Sequence, residues 1–283
     1  PIISNSAGTP ALDFLGGNYT YRVAPSDSLN GKIAAEILME QGHKEVAIMV
    51  ENVESAQTTA ETFKKSFEEL GGTISADVPF NPGQNSYQAE LKKVSDAKPE
   101  IVYAFGGITS GTVLFKQWYQ QGYEWKWYIS GDMVAEDMFK AIGNEVSEGM
   151  MAVVGTQDRT TETFQAFAEK FKAKFNAEPS PGMFTANSYD AYMLLALAIQ
   201  AGGDASGKSI NENLPKVSAP DGVQVTTFAQ GMEELKKGND IDYVGASGPV
   251  DFNEYGNVSA AFVLMEVKNG KTEQVKTYVP ELD

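Results

Sequence analysis

The sequence predicts an α/β protein with parallel sheets flanked by helices. Several apolar runs of strand length are continuous rather than alternating, the pattern of strands buried on both faces. Amphipathic stretches ended by glycine lie between these runs. The order strand, polar loop, amphipathic helix, glycine, strand appears at least twice, in "EVAIMV…FKKSFEELGGTISADV" and "EIVYAF…LFKQWYQQGYEWKWYIS". Such repetition implies right-handed βαβ crossovers.

The chain opens on "PIISNSAGTPALD". Residues 1–3 read as the end of a buried strand, Ser4 to Thr9 as a loop of small polar residues, and Pro10 with Leu12 as a helix start. No Met, basic segment or apolar signal core precedes them, so the sequence reads as starting inside a strand–loop–helix unit. Strands are predicted over residues 45–50, 73–80, 100–105, 125–130 and 149–154. Helices are predicted over 28–41, 55–70, 109–121, 161–176 and 184–200, with a short one over 133–141. "VVGTQDRTT" reads as a polar connector, and residues 201–208 as a loop rich in Gly, Ser and Asp. The last segment, from "GPVDFNEYGN" onward, alternates with period two. It carries a Tyr255-Gly256 turn and an Asn269-Gly270 turn, which predict an antiparallel hairpin.

Composition limits the function classes. The 283 residues are 42% hydrophobic and include 22 Lys plus Arg against 38 Asp plus Glu, a net charge of −16. That surface argues against nucleic acid and anionic membranes as partners. The absence of Cys excludes disulfides, thiolate catalysis and Cys-ligated metals. The longest apolar run, Tyr192 to Ile199, is far too short to span a bilayer. His43 is the single histidine and reads as a solvated loop residue, so a Ser–His or Cys–His pair cannot be built without it. No nucleophile elbow, phosphate loop or dinucleotide fingerprint is present; "FGGITSG" lacks the required spacing. No cofactor and no metal is expected.

What remains is a set of loops at the carboxyl ends of the apolar strands, where open α/β sheets bind ligands. They read "SNSAGT" (Ser4 to Thr9), "ENVESAQ" (Glu51 to Gln57), "GGITSG" (Gly106 to Gly111) and "SGDM" (Ser130 to Met133). Hydroxyls and free amides at helix starts suit a small carboxylate. Asp132 suits an ammonium group, or else caps the helix predicted over 133–141. Ordinary capping and turn formation is the competing explanation for each loop taken singly.

In order along the chain, "PIISNSAGTPALD", "YTYRVAPSDSLNG", "FKKSFEELGGTI", "NSYQAELKKV", "PEIVYAFGG", "NSYDAYMLLALAI" and "GASGPVDFNEYGN" resemble the type I periplasmic solute-binding proteins of ATP-driven importers, specifically the leucine/isoleucine/valine-binding branch. The resemblance covers essentially the whole chain. It implies a two-lobed fold with an inter-lobe cleft and three hinge crossings. Lobe one would hold 1–26 and 156–247 and lack its amino-terminal part; lobe two would hold 27–155 and 248–283. It also implies a secretion signal, a periplasmic or lipid-anchored location, a monomer, a small ligand and a membrane permease as partner. The ligand would be an amino acid or related small carboxylate, held by Ser6, Ala7, Gly8 and Thr9. The family's carboxylate-binding Thr falls at Gly8, with Thr9 one place on. The acid used on the ammonium falls at Asp132 and an aromatic wall at Phe184. Two positions that are aromatic in leucine-binding members are Ala56 and Gly107, which implies a roomier pocket. A ligand-sensing regulator on the same fold, a binder of an amide, urea or aromatic acid, and an enzyme such as an amidase are the alternatives. The empty catalytic inventory argues against the last.

Overall fold

The computed structural model describes residues 1–155, 158–179, 184–259 and 261–278. In chain order its elements are β1 (Ile2–Ser4), β2 (Thr20–Arg22), α1 (Asp27–Glu40), β3 (Glu45–Glu51), α2 (Glu54–Glu69), β4 (Thr73–Phe80), α3 (Gln88–Asp96), β5 (Ile101–Phe105), α4 (Ile108–Gln120), β6 (Lys126–Ser130), α5 (Glu136–Ile142), α6 (Asn144–Ser147), β7 (Met151–Gly155), α7 (Glu162–Phe175), α8 (Thr185–Gly202), α9 (Gly207–Asn213), β8 (Val223–Val225), α10 (Phe228–Lys237), β9 (Ile241–Tyr243), β10 (Phe262–Lys268) and β11 (Lys271–Tyr278). The chain forms two compact units. Of the described residues, the first holds those of Pro1–Ser26 and Gly155–Ala261; the second holds Asp27–Val154 and Phe262–Tyr278.

The second unit is built on a seven-stranded sheet of order β4-β3-β5-β6-β7-β10-β11. From β4 to β7 neighbouring strands run parallel, and β10 and β11 form an antiparallel pair. The apolar runs are continuous because both faces are covered. Ala47 and Met49 of β3 point into one core with Phe115, Trp127 and Phe139. Val46, Ile48 and Val50 point into the other with Ile37, Phe63 and Phe67. The β10–β11 hairpin turns on Asn269 and Gly270, both with positive φ (51° and 73°), the backbone state that makes Asn-Gly a favoured two-residue turn. Strand order reverses at β3: β4 lies on one side and β5 on the other. The loops leaving β3 and β5 therefore flank a topological switch point, where such sheets bind ligands.

The first unit carries two small parallel pairs, β1–β2 and β8–β9. Its core gathers Tyr21, Leu194, Leu197, Leu214, Tyr243 and Val250. Asp190 of α8 lies fully buried and accepts from the Tyr243 hydroxyl (2.8 Å), the Ala246 amide (2.8 Å), and the Ser247 amide (2.7 Å) and hydroxyl (2.5 Å). Burial pushes its pKa up against these four donors. A side chain at Gly245 would meet the Asp190 carboxylate at 2.4 Å, so the turn there requires glycine. Asp242 of β9 and Asp251 form an acidic pair. Burial, the charge of Asp242 and a hydrogen bond to it push Asp251 up to about 6.

Several expectations are corrected. The opening strand is not buried: Ile2 is 69% exposed, because β1 pairs only with β2 and the buried members of that pair are Tyr21 and Arg22. Pro10–Leu12 is a single 3-10 turn rather than a helix start. Glycines 16 and 17 then bring the chain back against the carbonyls of Tyr255 and Glu254, leaving no room for helix continuation. Segment 248–261, expected in the second lobe, belongs to the first unit. Its contacts explain this: the Arg22 amide donates to the Gly256 carbonyl (2.9 Å) and the Tyr21 ring packs on Phe252. The short helix expected over 133–141 is split into a 3-10 turn at Gly131–Met133 and α5. The boundary expected at Thr156 lies outside the described residues.

Candidate functional site

In the first unit the candidate residues Ser6, Ala7, Gly8 and Thr9 form one loop after β1. The Ser4 hydroxyl oxygen accepts the amides of Ser6 (3.4 Å) and Ala7 (3.0 Å), turning the chain out of the strand. The Thr9 hydroxyl accepts from the Ala11 amide (3.4 Å), so this side chain caps the 3-10 turn. The Gly8 and Thr9 amides have no acceptor among the described residues. The Asn5 side chain donates to the Ser188 hydroxyl (2.7 Å), and Ser188 in turn donates to the Phe184 carbonyl (2.9 Å). The loop is thereby tied to the start of α8, where Phe184 holds the left-handed conformation (φ 49°), which an aromatic residue rarely adopts. The structure thus brings Ser6–Thr9 and Phe184 into one neighbourhood.

Behind the loop lies Arg22, 1% exposed. Its Nη1 donates to the carbonyls of Thr9 (3.0 Å) and Ala7 (3.4 Å), its Nε to Asn257 Oδ1 (2.7 Å), and its Nη2 pairs with Asp13. Asp13 also accepts from the Ser26 hydroxyl (2.7 Å). Arg22 and Asp13 are 9 residues apart and the loop carbonyls 13 and 15 from Arg22, while Asn257, which fixes Nε, is 235 residues away.

In the second unit, Gly107 and Asp132 lie at the carboxyl edge of the sheet. Gly107 caps α4, and its amide donates to Glu51 Oε2 (2.7 Å). Glu51, the last residue of β3, is 4% exposed and also accepts from the Ser110 hydroxyl. It has no basic partner among the described residues. A Cβ at Gly106 would sit 2.9 Å from Glu51 Oε2 and 3.0 Å from Met133, whereas one at Gly107 would meet only Glu51 Oε2, at 3.5 Å. Gly106 is therefore tightly packed against the Glu51 and Met133 side chains, and a side chain at Gly107 has more room. The 106 amide donates to the Ser130 hydroxyl (3.3 Å), joining the loop after β5 to the turn that carries Asp132.

Asp132 is exposed and has no hydrogen bond or ion pair among the described residues. The protein around it nonetheless desolvates the carboxyl and raises its pKa above the usual Asp value. It caps no helix: α5 begins four residues on, with Ala135 at its cap. Ala56 is corrected. Its methyl is buried in the second unit's core beneath α2, while the neighbouring Glu54 and Ser55 face solvent. The residue missed here is Glu51; the available signal was an acid closing a fully apolar strand at a switch point. His43 lies at the opposite, amino edge and is half-buried, not fully solvated. Its ring meets Tyr128 edge-on, and burial lowers its pKa. A cleft of about 640 Å³ opens beside it, lined by Trp118, Trp125 and Trp127, and holds none of the candidate residues. Among the described residues, no group of acids and His could hold a metal, and no helix is long and apolar enough to cross a membrane.

A family model described as periplasmic binding protein matches residues 1–272. The chain belongs to the periplasmic binding protein family. Its similarity to the leucine/isoleucine/valine-binding branch is borne out by a Leu/Ile/Val-binding protein homolog of Brucella abortus, 27% identical over 202 residues, which are 71% of this chain and 53% of the homolog. The chain thus spans about half the length of the curated relatives it matches. In fold, this family member is similar to a branched-chain amino acid transporter substrate-binding protein, LivJ, from Streptococcus pneumoniae in complex with isoleucine. The TM-score is 0.79 at 24% identity, covering 99% of this chain and 73% of that one. A solute-binding protein of an R. palustris ABC transporter in complex with benzoate superposes with a TM-score of 0.76 at 20% identity, covering 99% and 71%. These likenesses establish the type I periplasmic binding fold.

Proposed function

We propose that this periplasmic binding protein captures, without chemical turnover, a small solute bearing both a carboxylate and an ammonium group, an α-amino acid or close relative, and delivers it to the permease of an ATP-driven importer. The carboxylate would be held by the Gly8 and Thr9 amides and the ammonium by Asp132, with Phe184 and Gly107 shaping the space around the side chain. The location would be extracytoplasmic, either periplasmic or lipid-anchored. The observation that carries this reading is Asp132, a partially desolvated acid with no partner among the described residues. The loops leaving β3, β5 and β6 contain no Lys or Arg, so they suit a cation and offer no charge to a simple aromatic acid. The similarity to Leu/Ile/Val-binding homologs supports the same class.

The test is a thermal-shift series on the intact protein with L-leucine, L-isoleucine, L-valine, benzoate and 4-hydroxybenzoate. A ligand at one hundred times its Kd stabilises by about 2.7 kcal/mol, well within detection. An α-amino acid is expected to raise Tm and the benzoates are not. Mass spectrometry of the released probe is expected to recover it unchanged. Benzoates raising Tm with no response to amino acids, or conversion of the probe, would overturn the reading.

A further inference from the structure

We infer that Arg22 is a positioning residue for the carboxylate-binding loop: it holds the loop from behind so that the Gly8 amide stays turned toward the ligand. This inference rests on the reading of the Ser6–Thr9 loop as the carboxylate site. In a trans peptide the carbonyl of one residue and the amide of the next point in opposite directions. The Ala7 carbonyl accepts from Arg22 Nη1, so the Gly8 amide of that same peptide is directed away from the guanidinium. Nothing among the described residues accepts that amide. The Thr9 carbonyl is held by the same nitrogen (3.0 Å) and also by the Leu12 amide (3.2 Å). Two carbonyls either side of Gly8 are thus turned inward by one buried cation.

The guanidinium is itself over-determined. Nε is fixed by Asn257 and Nη2 by Asp13, and Asn257 Nδ2 donates to the Asp13 carbonyl (2.9 Å). The planar fork can serve acceptors in four directions at once, which a lysine ammonium on a flexible stem cannot reproduce. The loop is glycine-containing and exposed at Ser6, so without this backing the peptide between Ala7 and Gly8 is free to rotate. Both the chain's own carbonyls and a ligand carboxylate would then meet at the same place, with repulsion replacing hydrogen bonding. Arg22 also sits in a neutral pair with Asp13, so its contribution is orientation of the amide rather than long-range attraction.

Arg22→Lys in the intact protein provides the test, read in two independent ways. Backbone 15N relaxation of Gly8, measured by NMR without ligand, reports the loop alone. Its order parameter is expected to fall from the rigid range of about 0.85 to about 0.6 or below in the variant, while β3, β5 and β6 stay rigid. Calorimetry with L-leucine and L-isoleucine reports binding, expected to weaken at least tenfold with Asp132 intact. An unchanged Gly8 order parameter would overturn the positioning role whatever the protein binds. A wild-type protein that binds no amino acid, with the Gly8 order parameter still lowered in the variant, would instead retire the proposed function and keep the clamp. Should Arg22→Lys fail to fold, Asp13→Asn leaves the contacts to Ala7 and Thr9 in place and loosens the far side of the guanidinium. A smaller fall in the Gly8 order parameter is expected there, and no fall would equally overturn the inference.

Discussion

In the function proposed above, the first unit's loop and the second unit's sheet edge would approach recognition by opposite means. The loop has two backbone amides without an acceptor among the described residues, and behind them the buried Arg22 donates to the carbonyls of Ala7 and Thr9. The edge offers one exposed carboxylate, Asp132, in the turn after β6, while Glu51 at the end of β3 is buried and accepts from the Gly107 amide and the Ser110 hydroxyl. A backbone site tolerates side-chain change but is sensitive to whatever holds the chain in shape. A side-chain site is the reverse: its scaffold is stiff, and a single charge decides what it accepts.

Asp132→Asn is the sharpest way to break the contrast. The substitution preserves shape and removes the charge. Leaving a buried ammonium without its counter-charge costs roughly 2–5 kcal/mol of binding, so affinity for L-leucine or whichever amino acid stabilises the protein is expected to fall at least tenfold by calorimetry. The unliganded Tm at neutral pH is expected to stay the same or rise slightly, because a desolvated acid is replaced by a neutral group. Equal affinity in the Asn variant would remove Asp132 from the site.

Gly106→Ala probes the stiffness of the edge. The new methyl collides with Glu51 and Met133, and overpacking of this kind costs roughly 1–3 kcal/mol. Chemical denaturation followed by tryptophan fluorescence reports it, since the three tryptophans lie in the second unit. Gly107→Ala, one residue on, has room for its methyl and is expected to leave stability within about 0.5 kcal/mol; a loss as large as that of Gly106→Ala would contradict the packing described.

The loop's tether is a milder target. Ser188→Ala removes the acceptor of the Asn5 side chain, and one such hydrogen bond contributes about 1 kcal/mol. Faster exchange of the Ala7 amide, accepted by the Ser4 hydroxyl, with an unchanged second unit is expected; identical exchange would show that the Asn5–Ser188 contact does not hold the loop.

The last effect is a pH slope, spread over several pH units. Asp251 titrates near 6 in the folded protein, above its unfolded value. The folded state therefore holds its proton where the unfolded chain has released it. The contribution is fully present below about pH 4 and is lost as pH rises through about 6. Asp251→Asn is expected to flatten that part of the Tm profile between pH 4 and 6.5, and a profile parallel to wild type would show that the pair does not share a proton.

The sheet of the second unit was legible because burial on both faces leaves no polar alternation, so runs such as "VAIMV" announce themselves, and the Asn269-Gly270 turn did the same for the hairpin. Asp132 and Gly107 were legible as loop positions following such strands. What was hidden depends on contacts remote in sequence. Arg22 reaches Asn257, and segment 248–261 packs on β2, neither of which leaves a local trace. Ala56 was misplaced for a related reason: a small residue in the first turn of a helix fits an open pocket and a packed core equally well, and the strand beneath α2 decides between them.

The division of the second unit along the chain sets the order in which it can be made. During synthesis β3 to β7 emerge first, and β10 and β11 follow only after the whole of Gly155–Ala261 has been translated. Until then β7, with its apolar "MAVV", is an unpaired sheet edge, the kind of edge that invites pairing with another chain. Closing it requires a contact of high sequence separation, which slows folding. A nascent or truncated chain ending before Phe262 is thus the form most prone to aggregate, and a chaperone that shields the β7 edge would act during that interval.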